Sequence, residues 1–294
     1  MKQYPIRSPL RYPGSKRRLV NSVRQLLELN NLRPALYIEP FIGGASIGLQ
    51  LMQYDLVDKV IFMDIDPWVS SFWKTVFFDT EWLTEKILTT QVTLELWDKL
   101  KKSNPQTIRE MAWACFYLNR TSFSGILEKR VGPLGGREQK SKYKIDCRFP
   151  RNTLVKRIEQ ISQFRDKIYA VWNCSWEDGV SRIKKEQKNK KLPKQNLFYY
   201  LDPPFFNKAE SLYRFYFEES DHIKLRNQLL RLKDYWLLSY DSATQVEILY
   251  GDAIHKKING ANHHHVDIYY SLSILSERRV VKEVIISNLP LFSS

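Results

Sequence analysis

A chain of 294 residues, 43% hydrophobic and 13% aromatic, is long enough to bury a large core, which excludes the disordered classes. No apolar stretch reaches the ~20 residues of a membrane span, and the start "MKQYPIRSPLRYPGSK" lacks the apolar centre of a secretory signal, so a cytoplasmic protein with no membrane partner is expected. The formal net charge of +14 points to a polyanionic partner, nucleic acid ahead of an anionic membrane because no basic amphipathic helix stands out.

The pattern then alternates along the chain. "RRLVNSVRQLLEL" has helical spacing, "ALYIEPFIGGAS" is a short apolar strand entering a glycine turn, "IGLQLMQY" returns to helix and "KVIFMDID" is a second strand. Strand, helix, strand predicts a right-handed crossover and a parallel sheet. From residue 81 to about 119 the spacing is helical. "TSFSGILEKRVGPLGGREQKSKYKID" then breaks it with glycine, serine and charge. Helix resumes at "TLVKRIEQISQF", and strands are predicted at "IYAVW", "LFYYL", "YWLLSY" and "EVIISN". The basic run "RIKKEQKNKKLPK" reads as a solvated helix end and connector. An α/β core at 1–80 and 151–294, interrupted by an insert at 81–150, is the expected organisation. Cys115, Cys147 and Cys174 form no CxxC pair, so neither a disulfide framework nor a cysteine zinc site is expected.

Two motifs carry chemistry. In "YIEPFIGGAS" a strand feeds a Gly43-Gly44 turn and then a helix, which leaves backbone room and free N–H groups for a nucleotide-type ligand. Asp64, at the end of the next strand, is placed to accept bonds from ribose hydroxyls. No lysine follows the glycines, and the "YPGSK" segment lacks the upstream glycine, so a P-loop is not expected. The second motif, "LFYYLDPPFF", ends an apolar strand in Asp202-Pro203-Pro204-Phe205. The prolines stiffen the turn, Asp202 and the Pro203 carbonyl offer two acceptors to one amino group, and Phe205 offers a flat face for a ring.

"LRYPGSKRRL", "EPFIGGAS", "YLNRTSFSG", "DPPF" and "VKEVIISN", in this order, resemble the Dam-like (D12 class) family of DNA adenine-N6 methyltransferases across almost the whole chain. The resemblance implies a Rossmann-like class I methyltransferase fold with a mostly parallel seven-stranded sheet and an inserted helical and hairpin target-recognition domain. It implies S-adenosylmethionine as cofactor, with Tyr12, Gly14 and Lys16 as an N-terminal cofactor segment and Glu39, Pro40, Phe41, Gly43 and Gly44 as the main turn. By the same resemblance Asp64 is the ribose acid, Ser175 and Trp176 are a lid on the cofactor's adenine, and Asp202, Pro203, Pro204 and Phe205 are the catalytic tetrad. The family commonly has tyrosine at the last position; phenylalanine keeps the stacking face and loses a hydroxyl. The expected substrate is an adenine flipped out of double-stranded DNA, and the expected state is a monomer. Whether a cognate restriction endonuclease accompanies it is left open, as are the recognised bases and a bacterial or phage source.

In the insert, Asn119, Arg120, Phe123, Ser124, Ile126, Glu128, Lys129, Arg130 and Arg137 are expected on DNA. The basic residues would hold phosphates, Phe123 or Ile126 would wedge into the stack, and Ser124 would meet the displaced partner base. Glu128 stands where the GATC-reading relatives have a guanine-reading arginine. A carboxylate repels guanine's acceptors, so the target is expected to differ from GATC. His263, His264 and His265 read as a polar loop rather than a metal site. Asp at position 202 favours this reading over a methyltransferase of RNA or protein amides, where Asn is commoner. An intact glycine turn together with Asp202 disfavours a DNA-binding relative that has lost activity.

Overall fold

The computed structural model describes residues 4–12, 14–206, 209–241, 244–255, 262–270 and 279–289; side chains are not described at 241, 253–255, 262–270 and 279–283. In chain order the first elements are α1 (Val20–Leu29), β1 (Leu36–Glu39), α2 (Ser46–Gln53), β2 (Lys59–Asp64) and α3 (Pro67–Phe78). Helices α4 (Thr80–Thr89), α5 (Leu94–Lys102), α6 (Ile108–Thr121) and α7 (Arg151–Ser162) follow. Then come β3 (Ile168–Asn173), α8 (Trp176–Lys188), β4 (Leu197–Leu201), α9 (Ala209–Leu212), α10 (Glu219–Leu229), β5 (Tyr235–Asp241), α11 (Thr244–His255), β6 (Asn262–Tyr270) and β7 (Arg279–Ser287).

The strands lie in the order β3-β2-β1-β4-β5-β7-β6. Each pair from β3 through β5 is parallel, while β7 is antiparallel to both β5 and β6. The sheet is therefore mixed and mostly parallel, as a run of strand-helix-strand units requires. Strands β1, β2 and β4 are buried on both faces, so their alternating residues enter two cores. Tyr37, Val60, Phe62, Phe198 and Tyr200 face one core; Ile38, Ile61, Met63, Tyr199 and Leu201 face the other.

The insert shares the first core. Leu83 and Ile87 of α4, Trp97 of α5 and Ala112 to Leu118 of α6 pack in the same cluster as the sheet residues Tyr37 and Phe62. Phe116 of α6 stacks on Phe72 of α3 with ring centroids 5.7 Å apart. After α6 the loop is pinched by a bridge between Ser122 and Pro133, where Phe123 N donates to Gly132 O at 3.0 Å and Leu134 N to Thr121 O at 2.8 Å. The expected hairpin is thus reduced to a short clasp.

The expectation of a loop at His263 to His265 needs correction, since these residues lie within β6. β6 is an edge strand, and an edge can carry polar residues without the apolar run that marks a buried strand. The histidine side chains are outside the described residues. Among the described residues, no three His, Cys, Asp or Glu side chains cluster as metal ligands, and no helix is long and apolar enough to cross a membrane.

Candidate active site

β1 and β4 are neighbours from which the chain order runs outward in both directions, to β2 and β3 on one side and β5 on the other. Such a switch point opens a crevice beyond the carboxyl ends of the strands. The crevice here is a cavity of about 320 Å³. Its lining includes Tyr12, Gly14, Lys16, Glu39, Phe41, Gly43, Gly44 and Asp64, together with Asp202 and Pro204. The two motifs, about 160 residues apart in sequence, meet because β1 and β4 pair directly.

The glycine turn is shaped by close packing. Gly43 adopts φ 40°, and a Cβ there would lie 2.7 Å from Cε1 of Tyr12. Its carbonyl accepts from Trp73 Nε1 at 2.8 Å, and its N–H donates to Asp64 Oδ2 at 3.1 Å. Asp64 Oδ1 accepts from Asp66 N at 2.9 Å. Burial, then the nearby Asp66 charge, pushes Asp64 up to about 7 despite these bonds. Glu39 is 3% exposed and accepts from Tyr37 Oη at 3.0 Å and Gly48 N at 3.2 Å. Burial pushes it up to about 8, and the Asp202 charge adds to the shift. Two buried acids held near neutrality in one cleft are the mark of a functional site.

At the other wall Lys16 Nζ lies 2.8 Å from Asp202 Oδ1, which also accepts from Ser239 Oγ at 3.1 Å. Ser239 itself is linked to Tyr200 Oη at 2.9 Å. Burial raises the Asp202 pKa, while Lys16 and Ser239 oppose the rise. Lys16 Nζ stands 5.2 Å from the Phe205 ring centroid, a cation–π distance. Gly14, at φ 73°, brings the N-terminal segment against that ring: a Cβ there would meet Phe205 Cζ at 2.7 Å. Lys16, expected in the N-terminal cofactor segment, thus packs against the acid-Pro-Pro-aromatic turn.

Several cavity residues were not anticipated. Asp66 caps α3 through Trp68 N at 2.8 Å and binds Arg214 Nη1 at the same distance. Arg214 lies 3.7 Å above the Trp68 ring centroid, so the segment after α9 is fastened over the cleft. Tyr213, Phe215, Tyr216 and Phe217 from that segment line the cavity, and Phe217 meets Phe41 edge-on at 5.6 Å. The run "LYRFYF", aromatic residues around one cation just after the tetrad, was the available signal.

Other anticipated residues are placed differently. Ser175 caps α8, and Trp176 is buried in the second core; neither lines the cavity, nor does Pro40. In the insert, Ile126 is 8% exposed, which corrects its assignment as a wedge, whereas Phe123 is 49% exposed and available. Asn119 is fully buried: its Oδ1 accepts from Arg11 N, and its Nδ2 donates to the carbonyls of Arg11 and Gly125. Arg120 is buried and donates to the Arg148 and Pro9 carbonyls, so it is no exposed phosphate holder on the loop. Ser124, Lys129 and Arg130 are exposed, and Glu128 is bonded by Arg130 N at 2.7 Å. Arg137 pairs with Asp98 at 2.6 Å and rests 5.0 Å from the Trp97 ring centroid.

An open, mostly parallel α/β sheet with a glycine turn and an aromatic-rimmed cleft at its switch point is consistent with the Rossmann-like class of proteins. The acid-Pro-Pro-aromatic turn contributes Asp202 and Pro204 to the same cleft. The chain belongs to the D12 class of N6 adenine-specific DNA methyltransferases, whose family model matches residues 12–268. It is an adenine-specific DNA methyltransferase and acts on DNA. A search among curated proteins returned no match. Among solved structures, the chain is similar at 9% identity to a precorrin 8W decarboxylase, the product of gene MT0146 of Methanobacterium thermoautotrophicum. That likeness covers 97% of this chain and 98% of the other at a TM-score of 0.36, too low to bear on chemistry.

Proposed function

We propose that the chain transfers a methyl group from S-adenosylmethionine to N6 of an adenine flipped out of double-stranded DNA, at a site other than GATC. The observation that carries this reading is that Gly43 and Gly44 of the glycine turn and Asp202 and Pro204 of the Asp-Pro-Pro-Phe turn line one cavity, with Phe205 packed behind its Gly14. The residues present fit the cofactor. Gly43 and Gly44 line the cavity and let Tyr12 pack directly on the turn, where a Cβ at Gly43 would collide with the Tyr12 ring, and Asp64 lines the same cavity as a candidate ribose acid. Glu39 beside the turn suits an ammonium group. When bound, the cofactor supplies a methyl group activated by a sulfonium.

The chain's own residues handle the amine. An exocyclic aromatic amine is a poor nucleophile because its lone pair is delocalised into the ring. Asp202 and the Pro203 carbonyl would each accept one of its protons, drawing the nitrogen towards a tetrahedral shape. Phe205, held by Gly14 and Tyr213, would stack on the ring. Asp202 stabilises the positive charge that grows on nitrogen, and positioning supplies most of the rate, with no covalent enzyme intermediate. The aromatic residues Tyr213, Phe215, Tyr216 and Phe217 would form one wall beside that step. Phe123, Ser124, Lys129 and Arg130 on the clasped loop are the residues proposed to meet the duplex. Glu128, where a guanine reader would stand, sets the target apart from GATC.

Incubation with methyl-labelled S-adenosylmethionine and duplex DNA, followed by nucleoside analysis, should place label on adenine N6, and sequencing of methylated DNA from an expressing host gives the site. No label on adenine would sink the reading. D202A should lower turnover by about 10³-fold, or ~4 kcal/mol of transition-state stabilisation, while retaining cofactor binding by calorimetry.

A further inference from the structure

A second cavity, of about 400 Å³, adjoins the first and shares Tyr12, Gly14, Ser15 and Ser46 with it. Six arginines line it: Arg7, Arg11, Arg17, Arg18, Arg120 and Arg157. Among the described residues none of the six forms an ion pair with a carboxylate. Arg120 is only 6% exposed, and its described partners are backbone carbonyls, as is Ser122 O for Arg11 Nη1 at 3.4 Å.

Their mutual effect is unfavourable as it stands. Burial first, then Arg11, Arg157 and Arg148, holds Arg120 down at about 9, well below an ordinary guanidinium. Arg157 is lowered by burial and by Arg7 and Arg17. Arg120 is buried and Arg11 and Arg157 are half-buried, and like charges so placed without counter-charge cost stability that an anion would return. Planar guanidinium groups match phosphate oxygens in pairs. A cluster drawn from the N-terminal segment, α6 and α7 is a built concavity and not a solvated charge run, in which arginines would point apart.

We propose that this arginine-lined cleft is a phosphodiester clamp that holds backbone phosphates of the target strand beside the flipped base. The inference rests on the reading that the substrate is duplex DNA. The position of the cleft follows from the shared wall: Tyr12, Gly14 and Ser15, which border the catalytic cavity, also line the cleft, so a strand whose base enters one would pass the other with its sugar-phosphate chain. The clamp carries no base identity and acts on every sequence alike.

The test uses the full chain and a fluorescent duplex of mixed sequence, with binding followed by anisotropy across salt concentrations. R7Q/R17Q alters two exposed side chains and should leave the melting temperature and S-adenosylmethionine binding unchanged. The slope of log K against log salt should become shallower by about 0.9 for each phosphate that the variant no longer neutralises. K185Q/K188Q, which removes two exposed charges from α8 outside the cleft, should leave the slope as in wild type. Equal slopes for wild type and R7Q/R17Q would overturn the clamp, as would an equally shallow slope in the α8 control. Competition by pyrophosphate in wild type without any slope change in R7Q/R17Q would overturn it too, assigning the cleft to a free anion. A wild-type protein that binds duplex with the expected slopes but methylates no adenine would sink the proposed transfer and leave the clamp standing.

Discussion

Lys16 and Asp202, joined at 2.8 Å, make the state of one carboxyl group depend on one ammonium. Because Lys16 opposes the burial that raises Asp202, removing it lets the carboxyl rise further. K16M should therefore shift the acid limb of the kcat profile to higher pH, and an unshifted limb would show that Asp202 is held ionised by other means. Gly14 carries a positive φ and abuts Phe205, so G14A incurs about 1–3 kcal/mol of backbone strain and displaces the ring. Loss of both stability in urea and methyl transfer is expected. Glu39 titrates near 8 when folded and near the ordinary ~4.5 when unfolded, so its contribution to stability is full below about 4.5 and falls as pH rises through 8. E39Q cannot ionise; its unfolding free energy should vary less between pH 5 and 8 than that of wild type, and should exceed it at the alkaline end.

Helix α6 shows how local signals support an element that reaches the core. Thr107 accepts from Glu110 N at 3.2 Å while Glu110 Oε2 accepts from Thr107 N at 3.0 Å, a complete capping box. T107A should lower unfolding free energy by about 1 kcal/mol in chemical denaturation. The apolar face of "IREMAWACFYLNR" made this helix legible in sequence, and the parallel strands were legible as apolar runs ending in acids or glycines. β6 was not, because "NHHHVDIYY" has no apolar run and its pairing to β7 is a tertiary event. α3 does carry a local signal, Asp66 and Pro67 as N-cap and N1, but most of its residues are buried, Ser70, Ser71 and Thr75 included, so it lacks the two-faced spacing of a surface helix. The cleft's aromatic wall was illegible for a different reason. Tyr213 to Phe217 gain their place through tertiary contacts distant in sequence, the Arg214–Asp66 pair spanning 148 residues and Phe217 meeting Phe41.

At the scale of the molecule, the insert and the catalytic sheet are one hydrophobic unit on that face. Trp97, Phe116 and Leu118 pack with Phe62, Phe72 and Trp73 in a single cluster, so the sequence boundary at residue 81 does not mark a break in the core. Replacing residues 81–150 by a short flexible linker should expose that cluster and yield a protein with increased dye binding and no cooperative thermal transition. A cooperative melt in the shortened chain would show the insert to be separable. The net charge of +14 has a share in buried places too, since Arg120 is among its contributors. Composition announces a basic protein, but only the fold gathers arginines from residues 7, 17, 120 and 157 into one concavity.

Phe205 and Phe206 follow the two prolines and part company. Phe205 packs at the cavity against Gly14, and Phe206 lies on His222 with ring centroids 3.9 Å apart, joined through His222 Nδ1 to Tyr240 Oη at 2.6 Å. Adjacent residues are thus riveted to separate partners, with rigid proline rings just upstream. The turn proposed to receive the base has little freedom left to lose. Its ordering entropy is surrendered once, when the chain folds, and not again at each encounter with a substrate.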